Sequence, residues 1–351
     1  MASSAARRHS RLGDPDVLVV GAGLSGLTAA CALADAGRTV RLLDRTAGPG
    51  GRLATRRVGD ATFDHGAQFF TVRSDAFAAL TRSWRDRGAP IGVWSSGFAQ
   101  VSDIRDGRDG VTSTGGDGHP RYRVSGGMDA LARVLARGLD VQAGTTATAI
   151  RVRRSRWQVA VRGAGGTAVH RAGALVCTPP IPQTLALFAR GDTALPAPTV
   201  TALERVAYEP CLALLVVLDD DPALPPPGGL QFASGPVRWL ADNARKDVSA
   251  RPAVTLHAAG TWSAAWYDAD DAVVARTLGG WLRPWLGVAR DVTSQVARWR
   301  YAQPRDLVEQ PTLTAEVDGA QVAFAGDAFA QARVEGAACS GLAAAAALLD
   351  R

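Results

Sequence analysis

A short apolar run, a tight glycine turn, a helix and a second apolar run follow one another near the start of the chain. Val17–Val20 is mostly β-branched, which is typical of a parallel strand buried on both faces. An apolar helix pattern follows, then Val40–Leu43 indicates a second strand, which Asp44 closes. The glycines that punctuate this stretch are Gly21, Gly23, Gly26 and Gly37. The pattern predicts one complete βαβ unit.

The chemistry of this unit is that of a dinucleotide site. The first glycine permits a tight turn, the second lets a diphosphate approach the backbone, and the third allows the helix to pack on the strand. The free N–H groups and positive dipole end of the helix favour a diphosphate. Asp44 lies eighteen residues after Gly26, where a carboxylate can accept hydrogen bonds from an adenosine ribose. A lone glycine pattern also fits an ordinary βαβ turn, but the four features together indicate a dinucleotide site.

The rest of the chain alternates helix and strand patterns. Residues 75–88 have apolar positions at helical spacing. Runs that we expect to extend the first sheet lie at 141–152, 157–161 and 174–177. From residue 181 to 298 the pattern changes to Pro-rich loops and apolar strands, which indicates a second domain. Six of the nine tryptophans lie between residues 239 and 299, where they can wall a flat-ring pocket or simply fill the core.

The composition argues mainly against certain classes of protein. Hydrophobic residues make up 47% and charged residues 21% of the 351, and no apolar run can span a bilayer, so we expect a soluble, cytoplasmic protein with no membrane partner. The net charge of +6 comes from scattered arginines, which argues against nucleic-acid binding. The four cysteines lack paired metal spacing, so we expect free thiols and no metal. Residues 1–14 lack the apolar segment of a secretory signal and are expected to form a disordered preamble.

Three further stretches carry candidate chemistry. Arg52 beside a glycine pair can give a second diphosphate contact or remain a solvated surface arginine. Within residues 63–72, Gly66 would let backbone approach a ligand. Near the C-terminus, Asp327 can hydrogen-bond a polyol chain, and the helix that opens at residues 334–337 can stabilise negative charge on a reduced ring system. Taken alone, Gly-Asp is a common turn.

With these stretches in order, the chain resembles the renalase-like branch of the FAD-dependent amine oxidase superfamily over nearly its whole length. The glycine loop is shared with all FAD oxidoreductases, whereas other motifs are more specific to bacterial renalase-like proteins. Those motifs are Gly66-Ala67-Gln68-Phe69, Trp239-Leu240-Ala241, His257 with Trp262-Ser263, and Arg298-Trp299-Arg300-Tyr301-Ala302. The pocket residues of the family vary, and here Arg300 and the small residues 258–260 can alter which isomer or ring substitution fits, so the resemblance specifies the cofactor more firmly than the substrate.

The resemblance implies an α/β fold of the p-hydroxybenzoate-hydroxylase type, with a Rossmann-type FAD-binding domain and a mixed-sheet substrate domain. We expect the FAD-binding domain at 15–74, 121–180 and 303–351, and the substrate domain at 75–120 and 181–302. FAD is expected to be non-covalent, since no cysteine or histidine stands at an evident tethering position. The residues expected to bind FAD are Gly21, Ala22, Gly23, Leu24, Ser25, Gly26, Asp44, Arg45, Gly51, Arg52, Ala67, Gln68, Phe69, Ala147, Gly326, Asp327, Glu335, Gly336 and Ala337.

The resemblance also implies an activity. Renalase-like enzymes oxidise isomers of dihydro-NAD(P) whose hydride sits at the wrong ring carbon; the hydride passes to flavin, and dioxygen then becomes hydrogen peroxide, which is a repair of metabolites. Hydride transfer from such a ring needs no acid or base. The residues expected only to position the substrate are Gln68, His257, Trp299 and Tyr301. His257 fits a structural histidine equally well.

The expected partners are a small dihydronicotinamide substrate and dioxygen, in a monomer or homodimer. Two kinds of alternative stay open, because a fold fixes the cofactor better than the substrate. The first is an FAD-dependent amine oxidase or a carotenoid-type desaturase on the same scaffold. The second is a flavin-binding regulatory protein without catalysis.

Overall fold

The computed structural model describes residues 13–112 and 117–350, so the expected preamble lies outside the described residues up to residue 12. In that part of the chain the α-helices are α1 Leu24–Asp35, α2 Asp75–Asp86, α3 Asp129–Leu135, α4 Ile181–Arg190, α5 Ala197–Glu204, α6 Gly260–Ala265, α7 Asp271–Leu282 and α8 Arg333–Leu349. The strands are β1 Val17–Val20, β2 Val40–Leu43, β3 Thr55–Val58, β4 Ala61–Asp64, β5 Ile91–Ser95, β6 Ala99–Asp103, β7 Val111–Thr112, β8 Arg121–Val124, β9 Asp140–Gln142, β10 Thr146–Arg153, β11 Arg156–Gly163, β12 Gly166–Ala172, β13 Ala174–Cys177, β14 Ala207–Leu218, β15 Gly229–Ser234, β16 Val237–Asp242, β17 Ala253–Ala258, β18 Asp291–Arg305, β19 Leu313–Val317 and β20 Ala320–Phe324.

The first sheet has six strands in the order β19-β20-β13-β1-β2-β9. Its neighbours are parallel except at the edge, where β19 pairs antiparallel with β20. β1 is buried along its whole length, as expected for a central strand covered on both faces. The predicted strands at 17–20, 40–43 and 174–177 are confirmed. Helix α1 ends as predicted, with Gly37 at φ +80° just past its last turn.

The two faces of this sheet bury different partners. Val17 and Val19 point into a core shared with α1, α3 and α8, whereas Leu18 and Val20 point to a second core on the opposite face. Helices α1 and α8 pack so closely at Gly341 that a Cβ there would collide with the backbone of Ser25. The start of α1 is thereby held against the middle of α8.

A separate sheet of three antiparallel strands, β10-β11-β12, packs on that second face. The expectation of one strand over 141–152 in the first sheet is therefore wrong, as is the placement of 157–161 there. Gly144 turns the chain between β9 and β10 at φ +65°, and β10 leaves the six-stranded sheet after this turn. The buried indole of Trp157 joins the two sheets by donating to the Gln321 carbonyl at 2.6 Å.

The largest sheet has seven strands in the order β18-β14-β17-β16-β15-β6-β7. The sheet is mixed, because β15 and β6 run parallel to each other while all its other neighbouring strands pair antiparallel. The α/β class with a mixed second sheet is thus confirmed, and the domain boundaries stay a prediction. None of the described helices is both long and apolar enough to cross a membrane.

Strand β4 pairs with β3 in a two-stranded sheet and packs against the seven-stranded sheet. Its Ala61 and Phe63 pack with Leu215, Val217 and Ala253 of the seven-stranded sheet. Residues 64–69, which follow, therefore run between the nucleotide unit and the large sheet. We call them the Asp64–Phe69 segment.

Candidate active site

Of the three glycines between the end of β1 and the first turn of α1, Gly21 and Gly26 are required by the packing of the protein, whereas Gly23 is not. Gly21 has φ +100°, and a Cβ there would collide with the Thr178 hydroxyl. A Cβ on Gly26 would collide with the carbonyl oxygen of Gly21. A Cβ on Gly23 would meet nothing nearer than the Cα of Gly51 at 4.0 Å. The protein leaves the space beside Gly23 open, and a diphosphate would approach the backbone there.

The first turn of α1 offers a polar group that no protein atom uses. Ser25 is buried, and its hydroxyl has no hydrogen-bond partner among the described residues. A buried hydroxyl of this kind calls for a partner from outside the chain. Gly23 is the N-cap and provides no side chain to the free N–H groups of the helix. The open space and the free hydroxyl both fit the diphosphate of a dinucleotide.

Asp44 closes β2 and also holds the glycine loop. Its Oδ2 accepts from the backbone N–H of Ala22 at 2.6 Å, and its Oδ1 accepts from the backbone N–H of Thr46 at 2.8 Å. The carbonyl of Asp44 accepts from the N–H of Thr145 at 2.7 Å, which brings the start of β10, with Ala147, to this corner. The ribose contact of Asp44 and the adenine-side position of Ala147 stay predictions.

The second glycine turn brings Arg52 to Asp327. The guanidinium donates from Nη1 at 2.7 Å and from Nη2 at 2.6 Å to the two carboxylate oxygens. Burial raises the pKa of the Asp327 carboxyl, and the Arg52 charge opposes that rise. Arg52 also donates to the carbonyl of Tyr301 at 3.3 Å. Two residues expected to contact FAD thus hold each other, and Tyr301 lies with them.

The start of α8 is tied to the start of α2. The buried carboxylate of Glu335 accepts from the N–H of Arg73 at 3.0 Å and of Ser74 at 2.9 Å. The N–H of Gly326 donates to the Ser340 hydroxyl at 2.9 Å. The Glu335 side chain is therefore used inside the protein. The other predicted FAD-binding residues in these stretches are Leu24 in the first turn of α1, the exposed Arg45 after Asp44, and Gly336 and Ala337 in α8.

Side chains of the seven-stranded sheet contact the Asp64–Phe69 segment through hydrogen bonds and ring stacking. The carbonyl of His65 accepts from Trp299 Nε1 at 2.8 Å and lies 3.2 Å from His257 Nε2. The ring of Trp299 also stacks on that of His65, with centroids 5.1 Å apart. The backbone N–H of Ala67 donates to the Arg52 carbonyl at 2.8 Å, which joins the segment to the second glycine turn.

The structure brings Gln68, His257 and Trp299 together here, but their polar atoms face the segment itself. Gln68 Nε2 donates to the carbonyl of Asp64 at 2.6 Å and to that of Gly66 at 3.2 Å. Gln68 Nε2 and His257 Nε2 lie 3.4 Å apart. Tyr301 stands apart, packed on Tyr208 at 5.4 Å between ring centroids. The structure thus groups three of the four residues expected to position the substrate.

Both histidines of this group are uncharged at neutral pH. Burial, assisted by the charge of Arg56, lowers the pKa of His65 from 6.5 to about 4. Burial also lowers the pKa of His257 to about 4, although its hydrogen bond to the His65 carbonyl opposes the change. Among the residues that the structure describes, no group of three acids, histidines or cysteines stands close enough to hold a metal ion.

Sequence reasoning missed Lys246 and the role of Asp64. Both side chains are fully buried, and Lys246 Nζ lies 2.7 Å from Asp64 Oδ2. The signal was present, because Lys246 is the single lysine of the sequence. A lone lysine in an arginine-rich chain marks a position where arginine does not suffice.

An aromatic cluster surrounds Phe69. The rings of Phe69, Trp94, Phe98 and Trp239 lie with centroids 4.7 to 6.4 Å apart. The indole N–H of Trp239 is buried and has no partner among the described residues. Four of the six tryptophans between 239 and 299 pack instead in or against the core beside the seven-stranded sheet. That group does not form a single wall, and Trp94 and Phe98 come from outside it.

Comparison with known proteins agrees with this architecture. Residues 19–86 match the NAD(P)-binding Rossmann-like domain, and residues 89–349 match the flavin containing amine oxidoreductase family. Among solved structures, cyclohexylamine oxidase from Brevibacterium oxydans IH-35A is similar with a TM-score of 0.73 and 15% identity, covering 97% of this chain and 100% of that one. A redesigned putrescine oxidase gives a TM-score of 0.71 with 16% identity, covering 96% and 99%.

Curated relatives match only over short stretches. A carotenoid 3,4-desaturase of Haloarcula japonica is 46% identical over 63 residues, which are 18% of this chain and 13% of that protein. A hydroxyneurosporene desaturase of Rubrivivax gelatinosus is 47% identical over 57 residues, 16% and 11% respectively. The chain thus spans a small fraction of these relatives.

The matched family covers most of the chain, and the glycine loop, Ser25 and the N-terminus of α1 fit its cofactor. FAD is therefore the cofactor, and its diphosphate would be held at Gly23 and Ser25. The chain belongs to the flavin containing amine oxidoreductase family.

Proposed function

We propose that this chain is an FAD-dependent oxidase of isomeric dihydro-NAD(P), in the renalase-like branch, with NAD(P) and hydrogen peroxide as products. The observation that carries the proposal is the electrical neutrality of the Asp64–Phe69 segment. Its one carboxylate, Asp64, is paired with Lys246 at 2.7 Å, and His65 is uncharged. An uncharged dihydropyridine ring suits such surroundings better than an ammonium group, since an unpaired buried charge is costly.

When bound, FAD supplies the hydride acceptor and passes the electrons to dioxygen. The protein residues then need only bind the ring, orient it and exclude water. Trp299 stacks on His65 and Phe69 packs in the aromatic cluster, so aromatic rings stand at both ends of the segment, and Gln68 and His257 hold its backbone. With a pKa of about 4, His257 is a poor base at neutral pH, which suits a step in which no proton leaves.

Oxidation of an amine is the second candidate. Its support is the likeness in fold to structures titled cyclohexylamine oxidase and putrescine oxidase. A protonated amine, however, would need an anion to bind it or a base to deprotonate it. In the described part of the Asp64–Phe69 segment the carboxylate already has its partner. Desaturation of a carotenoid has weaker support, because the two desaturases match this chain over only 63 and 57 residues.

Anaerobic stopped-flow mixing of the purified holoprotein tests the proposal. We expect isomeric dihydro-NAD(P) to bleach the flavin absorption fast, ordinary 4-dihydro-NAD(P)H to do so slowly, and primary amines not at all. A fixed pocket presents only one edge of the ring at hydride-transfer distance, which gives this selectivity. Readmission of dioxygen should release one hydrogen peroxide per substrate oxidised. Bleaching by an amine, with the isomers inert, would favour the second candidate, and a flavin that none of them reduces would favour a non-catalytic flavoprotein.

A further inference from the structure

The chain has one lysine among its 39 basic residues, and the fold buries it completely. Lys246 lies in the turn between β16 and β17, where its backbone N–H donates to the Asp242 carbonyl at 3.1 Å. Burial lowers the pKa of its ammonium group, and the neighbouring Asp64 opposes that change. A charged group in such a place needs a reason beyond solubility.

The ammonium group has three neighbours. It lies 2.7 Å from Asp64 Oδ2, 3.4 Å from Gln68 Oε1 and 5.3 Å from the centroid of the Trp94 ring. The other carboxylate oxygen of Asp64 accepts from the Thr55 hydroxyl at 2.6 Å and from the Met128 N–H at 2.8 Å. The carboxylate of Asp64 thus faces the ammonium group with Oδ2 and two hydrogen-bond donors with Oδ1.

Lys246 and two backbone carbonyls hold opposite sides of the Gln68 amide. An ammonium group can only donate, so the Gln68 atom that faces it must be the oxygen. The amide nitrogen then faces the carbonyls of Asp64 and Gly66, at 2.6 and 3.2 Å, which use its two hydrogens. With Lys246 removed, the two carbonyls would still fix this orientation, but Oε1 would lose the donor that holds the other side of the amide.

A purely structural purpose does not explain this arrangement well. A buried ion pair is seldom more stable than an apolar pair of the same volume, because desolvation offsets the attraction. A buried ion pair does, however, fix the positions of its two groups more closely than an apolar contact would. Here the positioned group is Gln68, between Ala67, which is tied to the Arg52 turn, and Phe69, which enters the aromatic cluster.

We propose that Lys246 is a positioning residue for the flavin: through its ion pair with Asp64 and its bond to Gln68 Oε1, it holds the Ala67–Phe69 backbone where the cofactor ring binds. The inference rests on the proposed function only in taking the Asp64–Phe69 segment as the one that lines the flavin. It does not depend on which substrate is oxidised.

Four variants separate positioning from charge neutralisation, the last of them being Gln68→Met combined with Lys246→Met. Lys246→Met keeps the length of the side chain and leaves Asp64 buried without its partner. The double variant Lys246→Met with Asp64→Asn removes both charges. Gln68→Met keeps the ion pair and removes the amide. For each we would measure the apoprotein melting temperature, the FAD dissociation constant by flavin fluorescence titration, and the visible spectrum of the bound flavin. None of these measurements uses a substrate, so an error in the substrate assignment would not affect them.

We expect Lys246→Met to lower the melting temperature and the double variant to recover it. FAD binding should stay weakened about tenfold in both, with a shifted flavin spectrum, because Gln68 still lacks its donor. In a Gln68→Met background, Lys246→Met should add little to the FAD effect, since both act through one amide. If the double variant binds FAD with wild-type affinity and spectrum, Lys246 only neutralises Asp64 and the proposal fails.

Amine labelling of the unmodified protein gives a second measurement that needs no variant. Because Lys246 is the single lysine, an amine-reactive reagent reports this site without side-chain background. With free N-acetyl-lysine amide as internal standard, labelling should be far slower at Lys246, and slower again when FAD is added to the apoprotein. Labelling that FAD leaves unchanged would contradict a link between Lys246 and the cofactor.

Discussion

Replacing Gly23 by alanine should abolish FAD binding and leave the fold intact. The added Cβ would find no atom nearer than 4.0 Å, and the backbone of Gly23, at φ −72° and ψ 178°, is one that alanine adopts freely. The free energy of unfolding of the apoprotein should therefore stay the same or rise by up to about 1 kcal/mol, because alanine has less freedom in the unfolded chain. The space lost is the space for the diphosphate. We expect FAD affinity to fall at least about 100-fold, a loss of about 2.7 kcal/mol.

Gly26→Ala is the matched control three residues away. Its Cβ would collide with the carbonyl oxygen of Gly21, a backbone atom that cannot move without shifting β1 or α1. Overpacking of this kind costs about 1–3 kcal/mol or more. The apoprotein should therefore melt several degrees lower, and any loss of FAD affinity should accompany that loss of stability.

Urea unfolding of the two apoproteins and fluorescence titration with FAD measure both quantities. Gly23→Ala should affect only FAD binding, whereas Gly26→Ala should lower the stability of the apoprotein. A Gly23→Ala protein that binds FAD like the wild type would show that the open space beside Gly23 is not the diphosphate site. A Gly23→Ala apoprotein that unfolds easily would show that the space is needed by the fold.

Three further predictions concern charge and attachment. Asp327→Ala should destabilise the apoprotein by about 2–3 kcal/mol in urea unfolding as well as weaken FAD binding, because Arg52 loses its bidentate partner; an unchanged unfolding midpoint would contradict this. The pKa values of His65 and His257 are about 4 in the folded protein, so below pH 6.5 the unfolded chain binds more protons than the folded one. The free energy of unfolding should therefore fall as the pH drops from 6.5 to 4. The loss should reach up to about 3 kcal/mol per histidine. His257→Gln should reduce this pH dependence in unfolding curves recorded at pH 7 and 4.5. Acid precipitation should leave the yellow flavin in the supernatant, and a yellow pellet would show covalent attachment.

The nucleotide unit could be predicted from sequence because its signals are local. Val17–Val20, the glycine spacing, Gly37 and Val40–Leu43 each act within a few residues of where they stand, and the structure has these elements at the predicted positions. The long strand expected over 141–152 failed for the opposite reason. Gly144 interrupts it, and a single glycine in an apolar run does not reveal that the second half joins another sheet.

The pairing of Arg52 with Asp327 could not be read from the sequence either. Each residue was assigned to FAD separately, since 275 positions separate them along the chain. Only the fold shows that the second glycine turn and the end of β20 meet. Lys246 is a different case, because its rarity was visible in the sequence but its partner was not.

Most of the polar side chains that hold the Asp64–Phe69 segment come from the seven-stranded sheet and its turns. Thr255 and His257 are two residues apart on β17 and so lie on the same face, where they bond to the carbonyls of Asp64 and His65. Trp299 reaches the same His65 carbonyl from β18, although β14 lies between those strands. The large sheet thus sets the position of a segment that leads out of the nucleotide unit. A substitution on β17 or β18 should therefore alter flavin properties without touching the glycine loop, so relatives that keep the loop can differ in substrate through this sheet alone.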